Sequence, residues 1–314
     1  MTPYFSVVIP LYNNAQEITA TLSSVLDQVF TDFEIIIIND GSTDDSLKQV
    51  KIIHDERIRV FTTKNKGVSH ARNFGIQQSK ATRIAFLDAD DLWKPHHLKD
   101  LKSLFETYPN CGMYCKAYEK IIGHTVIASQ YKDITKAKYW HGVVEDYFHH
   151  SQINSLSTSS SIAMEKSIFN TVGYFNEHYT SGEDTDLWIR TALQYPTAFD
   201  TNVSVTINLN ASQKLTNSPF TGRSHLDLDT FKKEELKNIS LKKYLDLNRY
   251  AIAIQFKLEN EHTHSKTIFK KIDLNNLSTL QKLVYQSPNN LIKNMLKFRN
   301  LLRKGGINLR LFRS

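Results

Sequence analysis

Apolar residues gather in short runs that stop abruptly at polar ones. Phe5-Ser6-Val7-Val8-Ile9-Pro10 reads as a buried strand ended by Pro10. A second strand, Phe33 to Ile38, is apolar throughout Ile35–Ile38, as in a parallel sheet covered on both faces. Arg57–Thr62 and Ile84–Leu87 read as a third and a fourth strand. Helical signals lie between them. Asn14 and Glu17 have capping-box spacing, and Ile18, Leu22, Val25 and Leu26 fall on one helical face. Asn65-Lys66-Gly67 is a turn that runs into another helix. The alternation predicts an α/β fold, a doubly wound sheet with right-handed crossovers.

Beyond residue 110 the pattern loosens. Strands are expected at Met113–Ile121, Ser159–Met164 and Ala198–Leu209, with a polar stretch from Gln130 to Ser157. Tyr139-Trp140-His141 and Tyr147-Phe148-His149-His150 lie in that stretch, either as a sugar-stacking surface or as the packing side of a helix. Leu187, Arg190 and Leu193 follow helical spacing after Ser181-Gly182-Glu183-Asp184. After Asn217 the chain turns helical and Lys-rich. The division expected is 1–215, a catalytic α/β domain, and 216–314, a basic, mainly helical region.

Composition changes this picture little: 40% hydrophobic and 23% charged is ordinary for a globular chain. No apolar run approaches the roughly 20 residues of a membrane-spanning helix. With no basic leader at its start, the chain reads as cytoplasmic. Cys111 and Cys115, on the order of 13 Å apart in an extended strand, read as buried free thiols. Charge matters more. The net is +7, yet eight of the 39 basic residues and none of the 32 acidic ones lie after position 280. The body is therefore close to neutral and the excess belongs to the tail. That weighs against a nucleic-acid protein, for which no motif is present either.

The candidate chemistry sits where strands end. Ile84-Ala85-Phe86-Leu87 stops at Asp88-Ala89-Asp90-Asp91, and the second strand stops at Asn39-Asp40-Gly41-Ser42. Carboxylates at the carboxyl ends of parallel strands lie where open α/β sheets bind ligands. Asp-x-Asp suits a hard divalent cation that shares its ligands with phosphates. A plainer reading makes Asp90 or Asp91 the cap of a helix near Pro95. Ser181 and Asp184 likewise have capping spacing. Neither a dinucleotide fingerprint nor a P-loop is present.

Five stretches in this order resemble glycosyltransferase family 2, inverting enzymes of the GT-A fold found in bacterial surface-polysaccharide synthesis. They are Val7 to Asn13, Asn39 to Asp44, Gly67 with Ala71-Arg72-Asn73 and Gly75, Phe86 to Asp91, and Glu183-Asp184 with Asp186. The resemblance covers residues 4–210. It implies a mixed nucleotide-sugar-binding sheet and metal-dependent transfer from a nucleoside-diphosphate sugar, a UDP-sugar first, to a hydroxyl of a glycan or lipid-linked acceptor. The sugar class implied is hexosyl or N-acetylhexosaminyl. By the same resemblance Pro10, Tyr12 and Asp40 hold the base, and Arg72 lies on the nucleotide side. Asp88 reaches the ribose and Asp90, or Asp91 in its place, the Mn2+ or Mg2+ ion. Asp184 is the catalytic base. The family's Tyr-Arg-x-x-His-like stretch is replaced here by Thr206 to Lys214, with Lys214 as a substitute.

Two other readings compete. A nucleotidylyltransferase needs a Gly-rich amino-terminal loop with Lys or Arg, which Pro10-Leu11-Tyr12-Asn13-Asn14 lacks. A non-catalytic sugar-nucleotide or glycan-binding module has no need of Asp90 and Asp184 together. In the tail, Leu291, Met295, Phe298 and Leu302 recur at helical spacing beside Ile292 and Leu296, and Leu309 to Arg313 follow. The tail therefore either packs on the helices of 225–285 or, through residues 288–313, lies peripherally on the anionic inner face of the cell membrane.

Overall fold

Strands that are apolar on both faces belong in the middle of a covered sheet, and the computed structural model, which describes residues 2–134, 139–211 and 219–304, places them there. In chain order the first part runs β1 (Phe5–Leu11), α1 (Ile18–Leu26), β2 (Phe33–Asn39), α2 (Ser46–Ile52), β3 (Ile58–Thr62), α3 (Val68–Gln78) and β4 (Arg83–Phe86). There follow β5 (Leu92–Trp93), α4 (His97–Thr107), β6 (Met113–Ile122), β7 (Thr125–Ala128), β8 (His141–Val144) and α5 (Tyr147–His150). Next come β9 (Ile162–Glu165), α6 (Ile168–Val172), α7 (Glu183–Ala192) and β10 (Thr197–Asn208). The chain ends in α8 (Lys232–Glu235), α9 (Ile239–Leu258), α10 (His262–Phe269), α11 (Thr279–Gln286) and α12 (Asn289–Lys304).

One sheet carries the order β3-β2-β1-β4-β9-β6-β10-β5, with β7 added to β6 and β8 to β10. β3, β2, β1 and β4 are parallel, while β9 runs antiparallel to both β4 and β6. The sheet is thus mixed. Alternate residues of β1 and β2 face two separate cores. Val8, Ile36 and Ile38 pack with α3, α6 and α7, whereas Val7, Ile9, Ile35 and Ile37 pack with α1, α2 and α4. The three β–α crossovers place the carboxyl ends of β1, β2 and β4 on one edge.

The carboxy-terminal helices carry a third core of Leu247, Tyr250, Ile254, Ile272, Leu277, Val284 and Ile292. The first half of α9 belongs instead to the α3-side core, through Leu241, Tyr244 and Leu245. Tyr147 and Phe148 of α5 are buried, with rings 6.2 and 5.6 Å from Tyr244. Those two aromatics serve packing rather than a sugar-stacking surface. Both cysteines are free and buried, and burial pushes the Cys111 thiol up to about 11.

Local expectations fail at three caps. No box forms at Asn14: α1 starts at Ile18 without a side-chain cap, and the Asn14 N–H donates instead to Ser46 Oγ (2.8 Å). Asp90 and Asp91 cap no helix, because α4 begins at His97 and β5 intervenes. Gly182, not Ser181, precedes α7, in a left-handed conformation (φ 81°). Lys214, the boundary at 215 and 216, and Leu309 to Arg313 lie outside the described residues.

Candidate active site

Asp40 follows β2 and is buried. Its N–H donates to Leu11 O (2.8 Å), which ties it to the end of β1. Its carboxylate accepts from the Thr63 hydroxyl (3.1 Å), Lys66 N–H (3.0 Å) and Gly67 N–H (2.8 Å). Gly67 immediately precedes α3, so a carboxylate sits at a helix amino terminus, where the dipole favours it. Pro10 lies half-buried in β1 and Tyr12 stands exposed just past it. The next residue, Asn13, has φ 52° and accepts through Oδ1 from Thr43 N–H (2.8 Å). The loops after β1 and β2 are therefore bound to each other.

The Asp88–Asp91 turn is held from two sides. On one side are α1 and the residue pair after it: Thr21 Oγ1 donates to Ala89 O (2.9 Å), Ser24 Oγ accepts from Trp93 N–H (3.1 Å), and Gln28 Nε2, just past the helix, donates to Lys94 O (2.8 Å). From the side comes Ser160, just before β9. Its hydroxyl donates to Asp91 Oδ2 (2.6 Å) and accepts from Asp88 N–H (3.1 Å), while its carbonyl accepts from the Trp93 indole (2.7 Å). Asp91 is buried, and its other oxygen accepts from Asn208 N–H (3.0 Å) in β10. Both Asp91 oxygens thus hold the fold together, whereas Asp88 and Asp90 are partly exposed.

The acidic start of α7 joins this turn through Arg72 of α3. Arg72 is buried; Nη2 donates to Asp88 Oδ1 (2.8 Å) and Nη1 to Glu183 Oε1 (3.0 Å). Its guanidinium lies over the Phe175 ring, 5.2 Å from the centroid. Burial works against the Arg72 charge, but Asp88 and Glu183 outweigh it and raise its pKa. Asp184 adds to that field, so its charge lies near the same guanidinium. Burial, and then the neighbouring Asp184, push the Glu183 carboxyl up, with Arg72 opposing both. Asp184 itself is partly exposed and its Oδ1 accepts from Thr185 N–H (2.6 Å).

Two further contacts steady the acidic loop. Asn73 accepts from Phe175 N–H (3.0 Å) and donates to Phe175 O (2.9 Å), fastening α3 to the segment before α7. From the carboxy-terminal side, Leu226 N–H donates to Ser181 O (2.9 Å), and a Cβ placed on Gly182 would lie 3.1 Å from Leu226 Cβ.

The structure therefore gathers Pro10, Tyr12, Asp40, Arg72, Asp88, Asp90 and Asp184 along one rim of the sheet. Arg72 is turned into an internal carboxylate bridge rather than outward. Glu183, Ser160 and Thr21 escaped sequence reasoning as site-building residues. Glu183 alone gave a signal, its place beside Asp184; a serine among many and a threonine on a helix give none.

Asp88 and Asp90 offer hard oxygen donors suited to Mn2+ or Mg2+, which keep water and substrate phosphates in their shell. Among the described residues no group of three or more His, Cys, Asp or Glu side chains is placed to hold an ion.

A family model described as glycosyl transferase family 2 matches residues 6–167. A protein from Rickettsia bellii named as an uncharacterized glycosyltransferase is 35% identical over 190 residues, 59% of this chain and 26% of that protein. One of the same description from Haemophilus influenzae is 31% identical over 198 residues, 59% of each chain. This chain thus spans about a quarter of the first relative and under two thirds of the second. The crystal structure of S. aureus TarS 1-349 in complex with UDP-GlcNAc superposes with a TM-score of 0.56 at 19% identity, covering 84% of this chain and 70% of that one. The same TarS fragment in complex with UDP gives 0.53. The likeness is one of fold: a GT-A mixed sheet followed here by helices.

Proposed function

This chain belongs to glycosyl transferase family 2, and on that premise we propose that it is an inverting enzyme moving a sugar from a UDP-sugar to a hydroxyl of a glycan or lipid-linked acceptor. The observation that carries the reading is the Arg72 bridge, which fixes the Asp88–Asp91 turn against the Glu183–Asp184 start of α7. The bridge supports a reading in which Asp88 and Asp90 serve the donor and Asp184 the acceptor. The TarS structures, which hold UDP-GlcNAc and UDP, favour a uridine nucleotide and a hexosyl or N-acetylhexosaminyl group.

In this reading Pro10 and Tyr12 line the base and Asp40 accepts from it through the lone pairs its loop leaves over. Asp88 receives the ribose, and Asp90 would hold Mn2+ or Mg2+. Such a cation supplies Lewis-acid stabilisation to the leaving phosphate. Asp184 takes the proton of the acceptor hydroxyl as its oxygen attacks the anomeric carbon. The new C–O bond forms opposite the bond that breaks to the diphosphate, so the centre inverts. Glu183, buried and tied to Arg72, orients the helix start and leaves Asp184 as the base. The setting we infer is surface-polysaccharide assembly at the cytoplasmic face of the membrane.

The test is a donor screen with UDP-, dTDP- and GDP-sugars and Mn2+ or Mg2+, reading nucleoside-diphosphate release. Release from UDP-sugars, lost with chelator, is expected. No release from any donor, with or without added glycan or lipid acceptors, would overturn the assignment.

A further inference from the structure

The most exposed large apolar side chains among the described residues lie next to each other at one turn. Ile239 is 87% and Leu236 80% exposed, where α8 gives way to α9. A single exposed aliphatic needs no explanation, but two large ones crowning one turn do. Lys232, Lys233 and Lys237 are exposed around them. The acids nearest the turn are paired or partly covered. Glu235 pairs with Arg249 (2.6 Å), half-exposed Asp229 pairs with Arg249 and Lys271, and Glu234 Oε2 is buried, while Asp227, farther back along the chain, is exposed. Between residues 232 and 239 the exposed charges are therefore the three lysines.

The turn is also braced. Asn238 caps α9 by accepting from Leu241 N–H (2.9 Å). Buried Arg249 reaches Glu235, Asp229 and Asp246 at once, so α9 grips the segment before the turn. The two aliphatic side chains thus stand on a segment tied to α9 by these bonds.

The chemistry selects one occupant. A protein interface of ordinary size needs 20 or so residues a side, and its core is depleted of lysine. A bilayer boundary asks for less: a few aliphatic tips in the acyl region, with lysines beside them at the headgroups. We propose that the α8–α9 turn is a docking knob for anionic lipid surfaces, with Leu236 and Ile239 entering the bilayer and Lys232, Lys233 and Lys237 meeting lipid phosphates. The proposal does not depend on the catalytic reading, because it concerns binding alone.

The experiment is flotation of the full chain with vesicles of phosphatidylcholine alone and of phosphatidylcholine with phosphatidylglycerol. The parent should float with the anionic vesicles only. Leu236→Ser with Ile239→Ser should lower partitioning on the order of tenfold or more, with unchanged melting because both side chains are exposed. Lys232→Gln with Lys233→Gln and Lys237→Gln should do the same at low salt and make little difference in about 1 M salt, where the Debye length falls to about 3 Å. Flotation unchanged in either variant, or equal on neutral vesicles, would overturn the proposal. So would a parental dimer, seen by sedimentation, that the serine variant dissociates without changing flotation; the occupant would then be a second copy. Free phosphate as competitor separates headgroup from anion: loss of flotation in millimolar phosphate at constant ionic strength would also count against a bilayer site.

Discussion

At the scale of single residues, adjacent acids do different work because they face different surroundings. Glu183 is buried and spends its charge on Arg72, while Asp184 keeps an exposed edge. Asp184→Asn should keep donor affinity and lose about 10²–10⁴-fold in transfer rate, the usual worth of a general base. Single-turnover transfer alongside UDP titration checks this; near-parental transfer would return Asp184 to a local helix-start role worth about 1 kcal/mol of stability. Asp90→Ala makes the opposite split. It should remove the Mn2+-dependent part of UDP binding, read by calorimetry, while the protein stays folded. Asp91 gives the contrast. Its oxygens are taken by Ser160 and Asn208, so the same substitution there should cost stability first. The carboxylates were legible in the sequence because they end apolar runs. Which of the neighbours turned inward was not legible, since that depends on Ser160 and Asn208, remote along the chain.

At the scale of elements, α3 is the part on which the site depends. It carries Arg72 and Asn73 and lies on β1 with no spare room: a Cβ on Gly75 would sit 2.4 Å from Val8 Cγ1. Val8 is fully buried and cannot swing aside. Gly75→Ala should therefore lift α3 off the sheet and cost about 1–3 kcal/mol, as overpacking does, with lower activity because Arg72 moves with it. Adding Val8→Ala should restore part of both, a coupling that denaturant midpoints of the double-mutant cycle would read. Additive losses would mean that the contact is not what seats the helix. The order of the β–α units was legible because the central strands carry the apolar runs Val7–Ile9, Ile35–Ile38 and Ile84–Leu87, with polar turns between them. β5, β7 and β8 were not. They span two to four residues, too short for periodicity, and exist through pairing with β10 and β6. The Asn14 box failed for a related reason, since Ser46 of another helix took the backbone N–H that the box requires.

At the scale of the molecule, the helical region is bonded to the catalytic sheet rather than trailing from it, because α9 begins in one core and ends in another. Its last helix divides the apolar stripe that the sequence shows. Ile292 is buried, with Met295 and Leu296 packed against the third core, whereas Leu291 and Phe298 are 49% and 57% exposed. Leu280 and Leu283 of α11 are exposed as well. Packing on the preceding helices thus accounts for Ile292, Met295 and Leu296 and leaves Leu291 and Phe298 outward, in a stretch of sequence with eight cations and no acid after position 280. No helix among the described residues is long and apolar enough to cross a membrane. Each Lys or Arg near an anionic bilayer contributes on the order of 1 kcal/mol. Ending the chain at Ser287 is a poor test, because it also removes Ile292 from the third core. Leu291→Ser with Phe298→Ser is cleaner, since both side chains are already exposed and melting should not change. That variant should lose flotation with anionic vesicles in proportion to the tail's share, and Lys293→Gln with Lys297→Gln should flatten the salt dependence. Donor hydrolysis in solution should be the same in both. Parental flotation in the serine variant would assign the outward stripe to something other than lipid and leave any membrane contact to the α8–α9 turn.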